Sequence, residues 1–351
     1  MPVIKDEHPL AEWLTGLRSS SGSSSRRTVV VQSAHLLGDL IDQGLVDANT
    51  DLFLGDAGTA TRPAALTAGW ELPRTFTGSF ALFDSDILLD NGYRMLLRQY
   101  GTAEFHCLET PTALRVTDAH DLSAYLRDAD EAWSGGVFAR HVTHPNAITA
   151  DLAALGGGAQ RSGPADRLYV FPDAAVSTSP TGAVLGTAAD QLPAIIARWQ
   201  RANQVSAQPD AIGLGRVVDE RDRTDALTER PWISRYLLAV SVIRAVRRSH
   251  RIPDRVSGFG GRLTPGLAAP TTPDDLLAPV LLRVGNEYQA YDGRTGAHVV
   301  LPAGAVATIE QMLTPDDVAG ARSATGGQDT LRMLAAAGIS EQWRRDFQWE
   351  E

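Results

Sequence analysis

Cysteine is nearly absent: Cys107 is the only one in 351 residues. That excludes an intrachain disulfide and any Cys-based cluster or zinc knuckle. Also missing is a run of about 18–20 uninterrupted apolar residues, the length that spans a bilayer. The most apolar stretch, Tyr236 to Val246 (YLLAVSVIRAV), is too short to span and reads as a buried helix. The opening MPVIKDEHPLAEWLTGL lacks the basic-then-apolar order of a signal peptide, so the expected location is the cytoplasm.

An excess of positive charge is missing as well. The formal net charge is −10, which disfavours a sequence-independent grip on phosphates. Only Arg244 to Arg255 (RAVRRSHRIPDR) is locally basic, and a solvated helix end accounts for it, since cations suit the C-terminal dipole. Neither nucleic acid nor membrane is an expected partner.

The common catalytic signatures are lacking too. There is no GxxxxGK[ST] and no GxSxG. GFGG (Gly258 to Gly261) and GLG (Gly213 to Gly215) do not extend to GxGxxG, nor do they link a strand to a helix. His141 and His144 are three apart, but lack the glutamate of HExxH and further ligands at short range. His106 and Cys107 fall on an expected strand, Ala103 to Glu109, and so point to opposite faces. Asp84, Asp86 and Asp90 lack the ordered spacing of a calcium loop, and capping and solvation explain them. Catalytic residues, metal ligands and cofactors are accordingly none.

What is present is an alternation of strand and helix patterns. Residues 1–27 combine a short amphipathic piece, His8 to Leu17, with a serine-rich linker, RSSSGSSSRR. An α/β (or α+β) domain is expected over 28–255, divisible near the Gly-rich loop at 154–167. It opens with the β-branched run TVVVQS, a helical AHLLGDLIDQGLV and a second strand, DLFLGDAG. TALRVTD reads as a strand and DLSAYLRDADEAW as a helix capped by Asp121. LYVFPDAAVSTSPTGAVLGT reads as a strand and hairpin, AADQLPAIIARWQRAN and ERPWISRYLLAVSVIRAVRRSH as helices. Residues 256–275 are Gly-, Pro- and Thr-rich, and read as an interdomain linker.

Residues 276–351 carry the clearest pattern. PVLLRV, EYQAYD and AHVVLP alternate as strands, with GN and DGRTG supplying turn chemistry. Three helices follow, AGAVATIEQML, TPDDVAGARSA and DTLRMLAAAGI, with Thr314 and Pro315 starting the second and Gly338 ending the third. The last helix has one arginine and one aspartate, too little charge for a DNA-recognition helix.

Three strands and three helices ending in LRMLAAAGI resemble the PqqD-like recognition domain of ribosomal peptide modification systems. The resemblance spans Pro279 to Ile339 and implies a winged-helix-like fold that binds a precursor's leader segment by strand addition. It further implies a receiving edge at His298, Val299, Val300 and Leu301, and a groove walled by Leu331, Arg332, Leu334 and Ala335. The whole chain resembles the recognition proteins of daptide-type pathways. The implied partners are a leader peptide and a modifying enzyme such as a dehydrogenase or decarboxylase. LYVFPDAAVSTSPTGAVLGT is similar in cadence to the accessory cluster domain of radical peptide-modifying enzymes, but Ser177 and Ser179 stand at cysteine positions, and serine cannot replace thiolate there. Two other readings stay open: a peptide-modifying enzyme with its active site in 28–255 and a recruiting C-terminal domain, or a scaffold that binds no peptide.

Overall fold

The run at Thr28–Val31 does form a strand, buried on both faces, inside a ten-stranded mixed sheet. The structure, a computed structural model, describes residues 9–17, 26–55, 72–157, 163–206, 210, 212–293, 295–313 and 327–339. The described residues within 9–125 and 146–229 form one compact unit, and those within 126–145 and 230–339 form another.

The first unit is built on the strands β1 (Arg27–Val31), β2 (Thr50–Gly55), β3 (Arg74–Thr77), β4 (Asp86–Leu89), β5 (Arg94–Gln99), β6 (Thr112–Arg115), β7 (Ala147–Thr149), β8 (Arg167–Val170), β9 (Ala175–Ser177) and β10 (Gly186–Thr187). Their order is β10-β9-β8-β1-β2-β3-β4-β5-β6-β7. β1, β2, β3 and β8 run parallel, as do β5, β6 and β7, while β4 and β9 reverse.

The period-2 alternation of side chains decides the layers. Val30, Phe53, Phe76, Ile87, Met95, Ala113, Ile148 and Tyr169, one from each of β1 to β8, share a core with Leu10, Trp13 and Leu14 of helix α1 (Pro9–Thr15). A flat sheet could not bring all these strands together, so the sheet curls around α1. Val29, Val31, Leu52, Leu54 and Leu168 point the other way, towards helix α2 (Leu37–Asp42) and helix α4 (Leu192–Gln204). The curl also brings Asp151, just after β7, to Arg167 at the start of β8, a buried ion pair of 3.0 Å.

Two local expectations are corrected here. Ala103 to Glu109 is not a strand: Tyr100–Phe105 is a 3₁₀ helix and 106–109 are unpaired. That segment has no β-branched residue, and Gly101 N–H is drawn to Asp121 Oδ1 at 2.8 Å. Asp121 does not cap helix α3 (Ala119–Gly135) either. Asp118 Oδ1 accepts from Asp121 N–H at 2.8 Å, while Asp121 Oδ2 takes the N–H and hydroxyl of Thr117. Two acidic residues three apart divide the cap between them.

Helix α5 (Glu220–Thr228) completes the first unit, capped by Asp219. The second unit contains helix α6 (Ile233–Arg248), which includes the apolar run at Tyr236–Val246, and a four-stranded antiparallel sheet. Three of its strands are those expected: β12 (Val280–Val284), β13 (Glu287–Tyr291) and β14 (His298–Leu301). The β12–β13 turn is Gly285-Asn286, with φ of +59° at Gly285, the position of a two-residue hairpin loop that favours glycine.

The fourth strand, β11 (Arg255–Val256), was not expected. It pairs with β12, and Ser257, Phe259, Arg262, Leu263 and Asp274 of the expected linker are buried, whereas most of residues 265–273 are exposed. Phe259 sits edge-on to Trp133 and Phe138, whose partners are Trp232 and Tyr236. Gly260 has φ of +65°, and a Cβ there would lie 2.6 Å from the backbone of Gly135, so glycine is required. Arg262 and Asp274 form a buried bidentate pair at 2.8 and 2.7 Å.

Helix α7 (Ala303–Met312) and helix α8 (Gly327–Ala336) cover one face of this sheet. Leu281, Ala290 and Leu301 meet Val306, Ile309, Leu331 and Leu334 there. Gly338, at φ +76°, ends α8 as expected: its N–H donates to Ala335 O at 2.9 Å and Ile339 N–H to Leu334 O at 3.0 Å. The helix expected over TPDDVAGARSA, with Thr314 and Pro315, and most of the serine-rich linker lie outside the described residues.

Glu310 of α7 is fully buried and takes three donors: Ser257 Oγ at 2.5 Å, Leu263 N–H at 2.7 Å and Thr264 N–H at 2.8 Å. Glu310→Ala strands all three. Because each buried orphan costs about 1–3 kcal/mol, the variant is expected to lose about 3 kcal/mol or more in urea unfolding followed by tryptophan fluorescence. Glu310→Gln, which keeps one acceptor oxygen, is expected to lose less.

Candidate functional site

The sheet order β11-β12-β13-β14 leaves β14 at an edge, and no strand among the described residues pairs with its outer side. The register decides which of its backbone groups are available. Asp292 N–H donates to Ala297 O at 2.9 Å, in the same cross-strand series that pairs Tyr291 with His298. Hydrogen-bonded and non-bonded pairs alternate in an antiparallel ladder. Ala290 with Val299 and Tyr288 with Leu301 are therefore bonded pairs. His298 and Val300 point their N–H and C=O groups outward, where they have no ladder partner.

Side chains follow the same alternation. Val299 and Leu301 turn towards α7 and α8, with Leu301 4% exposed. His298 and Val300 turn to the other face. Val300 is 52% exposed, unusual for a valine in a strand, and His298 stacks on Tyr291 at 5.0 Å and 10°. The four expected edge residues are thus on one strand, but only two present open backbone.

On α8 the expected groove residues divide. Leu331 and Leu334 are 6% and 1% exposed, members of the core and not lining of an open groove. A sheet of this size needs those leucines inside. Arg332 and Ala335 are exposed, three residues apart on one helical face, with Arg332 paired to Asp329 at 2.9 Å.

The other candidates disperse. His141 Nε2 lies 3.6 Å from Asp128, and no group of three metal-ligating side chains forms among the described residues. His106 and Cys107 are exposed on an unpaired segment. Asp86 pairs with Arg94 and Arg98, and the hydrogen bond from Arg94 holds its carboxyl below the ordinary value. Asp90 accepts from Thr75 N–H at 2.9 Å instead, and Asp84 is exposed on a left-handed turn. Ser177 and Ser179 are buried, and Ser179 Oγ donates to Gly213 O at 3.1 Å. These are structural hydrogen bonds, not converging chemistry.

Sequence reasoning missed β11 and the inward–outward split of β14. A two-residue strand has no period to detect. The split depends on the hairpin's bonding phase, which the identity of four residues does not specify. Comparison with family models, curated proteins and solved structures gives no match.

Proline substitution separates the two phases of β14. Val300→Pro removes an outward donor and is expected to leave the melting temperature close to that of the parent chain. Val299→Pro breaks a ladder bond to β13 and is expected to lower it clearly. Leu334→Ala, as a core truncation, should cost about 2–5 kcal/mol in chemical denaturation.

Proposed function

We propose that this chain is a non-catalytic recognition protein for a ribosomally synthesised precursor peptide. The leader segment adds as a strand to β14, and the chain presents the remainder to a partner modifying enzyme in the cytoplasm. The observation that carries this reading is the outward-facing backbone of His298 and Val300. Two residues alternate their N–H and C=O groups into open space beside an exposed apolar side chain. An extended peptide satisfies such groups by main-chain hydrogen bonds and gains specificity from alternate side-chain contacts.

Further support comes from the resemblance of Pro279 to Ile339 to PqqD-like domains, with Arg332 and Ala335 as the helix residues accessible to a bound segment. The winged-helix-like fold itself, the daptide-type subfamily and the dehydrogenase or decarboxylase partner belong to this proposal. It involves no cofactor and no metal.

The test uses the full chain and fluorescently labelled leader segments of the precursor peptides encoded beside its gene. Micromolar or tighter binding is expected from anisotropy, weakened at least about tenfold in Val300→Pro. Loss of one outward donor and displacement of the strand partner account for that factor. Failure of every such leader to bind the folded chain would sink the reading.

A further inference from the structure

Buried carboxylates in this chain are served by donors. Asp121 receives the N–H groups of Gly101 and Thr117 at 2.8 and 2.9 Å, Asp274 a bidentate arginine and Glu310 three donors. Asp210 differs. It is fully buried, yet neither of its oxygens has a hydrogen-bond donor among the described residues. A Cβ on Gly213 would lie 2.5 Å from Asp210 Oδ2 and 2.7 Å from Ala154 Cβ, so the carboxylate is wedged where only glycine leaves it room.

The one ion-pair partner of Asp210 among the described residues is already held by another acid. Arg167 Nη2 lies 3.0 Å from Asp151 Oδ1 and 3.7 Å from Asp210 Oδ2, so a single nitrogen stands between two carboxylates. Asp151 is the better placed, because Thr181 Oγ1 also donates to it at 2.8 Å. Arg223 of α5 is engaged by Glu220 at 2.9 and 2.7 Å and by Ala154 O at 2.6 Å. With both carboxylates ionised, the Arg167 cluster carries an excess negative charge, and a buried carboxylate without donors resolves that by taking a proton. Burial raises the Asp210 carboxyl above its ordinary value. Arg167 opposes the rise, Asp151 adds to it, and Arg223 of α5 and the Trp199 indole of α4 oppose it less.

Arg167 also seats helix α1. Its Nη1 donates to Trp13 O at 2.8 Å, and a Cβ on Gly16, just past the helix, would lie 2.5 Å from its Nη2. Two more bonds fasten the same helix end: Asp151 N–H donates to Leu14 O at 2.8 Å and Leu152 N–H to Thr15 O at 2.7 Å. Since Leu10, Trp13 and Leu14 fill the core inside the curled sheet, a displaced Arg167 acts directly on that core.

We propose that Asp210 is a proton-operated latch on α1. Protonated, it leaves Arg167 to Asp151 and Trp13, and the helix stays seated. Ionised, it competes for Arg167 Nη2, weakens both contacts and lets α1 leave the sheet. Because the folded carboxyl titrates above its unfolded value, its contribution to stability is full below about pH 4 and is lost as pH rises through the folded value. Rising pH therefore releases the helix. The latch does not depend on the strand-addition reading.

The test follows the Asp210 side-chain carboxyl carbon by NMR in the full chain labelled at aspartate, assigned with Asp210→Asn. Asn suits both acidic positions, since Asp210 and Asp151 have φ of +53° and +50°. The carboxyl is expected to be protonated at about pH 6, well above the ordinary aspartate value of about 4. Asp151→Asn leaves Arg167 to Asp210 alone and should lower that midpoint. Amide exchange at Asp151 and Leu152, corrected for its intrinsic pH dependence, reports the seat of α1. Protection there should fall about tenfold or more between about pH 6 and pH 9 in the parent and stay constant in Asp210→Asn. The latch is overturned by an ionised Asp210 at pH 6, by protection that does not fall by pH 9, or by an equal fall in Asp210→Asn.

Discussion

The buried carboxylate of Glu310 ties helix α7 to the chain segment that follows β11. It accepts from Ser257, Leu263 and Thr264, so one side chain on the helix satisfies three donors of an irregular stretch. An irregular backbone can be buried only when its polar groups find such partners. Because they do, Arg255–Val256 can pair with β12, and Phe259 can enter the aromatic cluster of Trp133, Phe138, Trp232 and Tyr236. The Arg262–Asp274 pair closes the same segment from its other side.

The consequence is an asymmetric sheet. One edge is anchored and closed by a two-residue strand whose flanks are bonded: Asp254 N–H donates to Arg283 O and Ser257 N–H to Leu281 O. The other edge, β14, is four residues long and carries an exposed valine. Open edges invite unwanted pairing, and short length is one of the ways proteins limit it. A short open edge on a firmly anchored sheet suits a transient strand partner: the receiving backbone is already ordered, so the ordering cost falls on the peptide alone.

Much of this architecture was legible in the sequence where a period was long enough to be counted. The runs at Thr28–Val31 and Val280–Val284, the alternation in Glu287–Tyr291 and the helical spacing of α6 and α8 all led to the elements found. What stayed hidden depends on long-range partners. Residues 256–275 have the Gly and Pro content of a linker, and it is the distant Glu310 and Trp133 that draw residues 257–264 into a core. Asp121 looked like a cap because its neighbour Asp118, which fills that position, is chemically identical. Leu331 and Leu334 carry no sign in their identity of whether they line a groove or fill a core; burial decided for the core.

The central claim is that the outward groups of β14 receive a peptide strand, and residue-resolved amide hydrogen exchange tests it most directly. In the free chain the amides of His298 and Val300 should exchange fast and those of Val299 and Leu301 slowly. Saturation with a bound leader peptide should slow His298 and Val300 while leaving the other two nearly unchanged. Slow exchange at Val300 in the free chain, or a bound leader that leaves His298 and Val300 unprotected, would contradict the account.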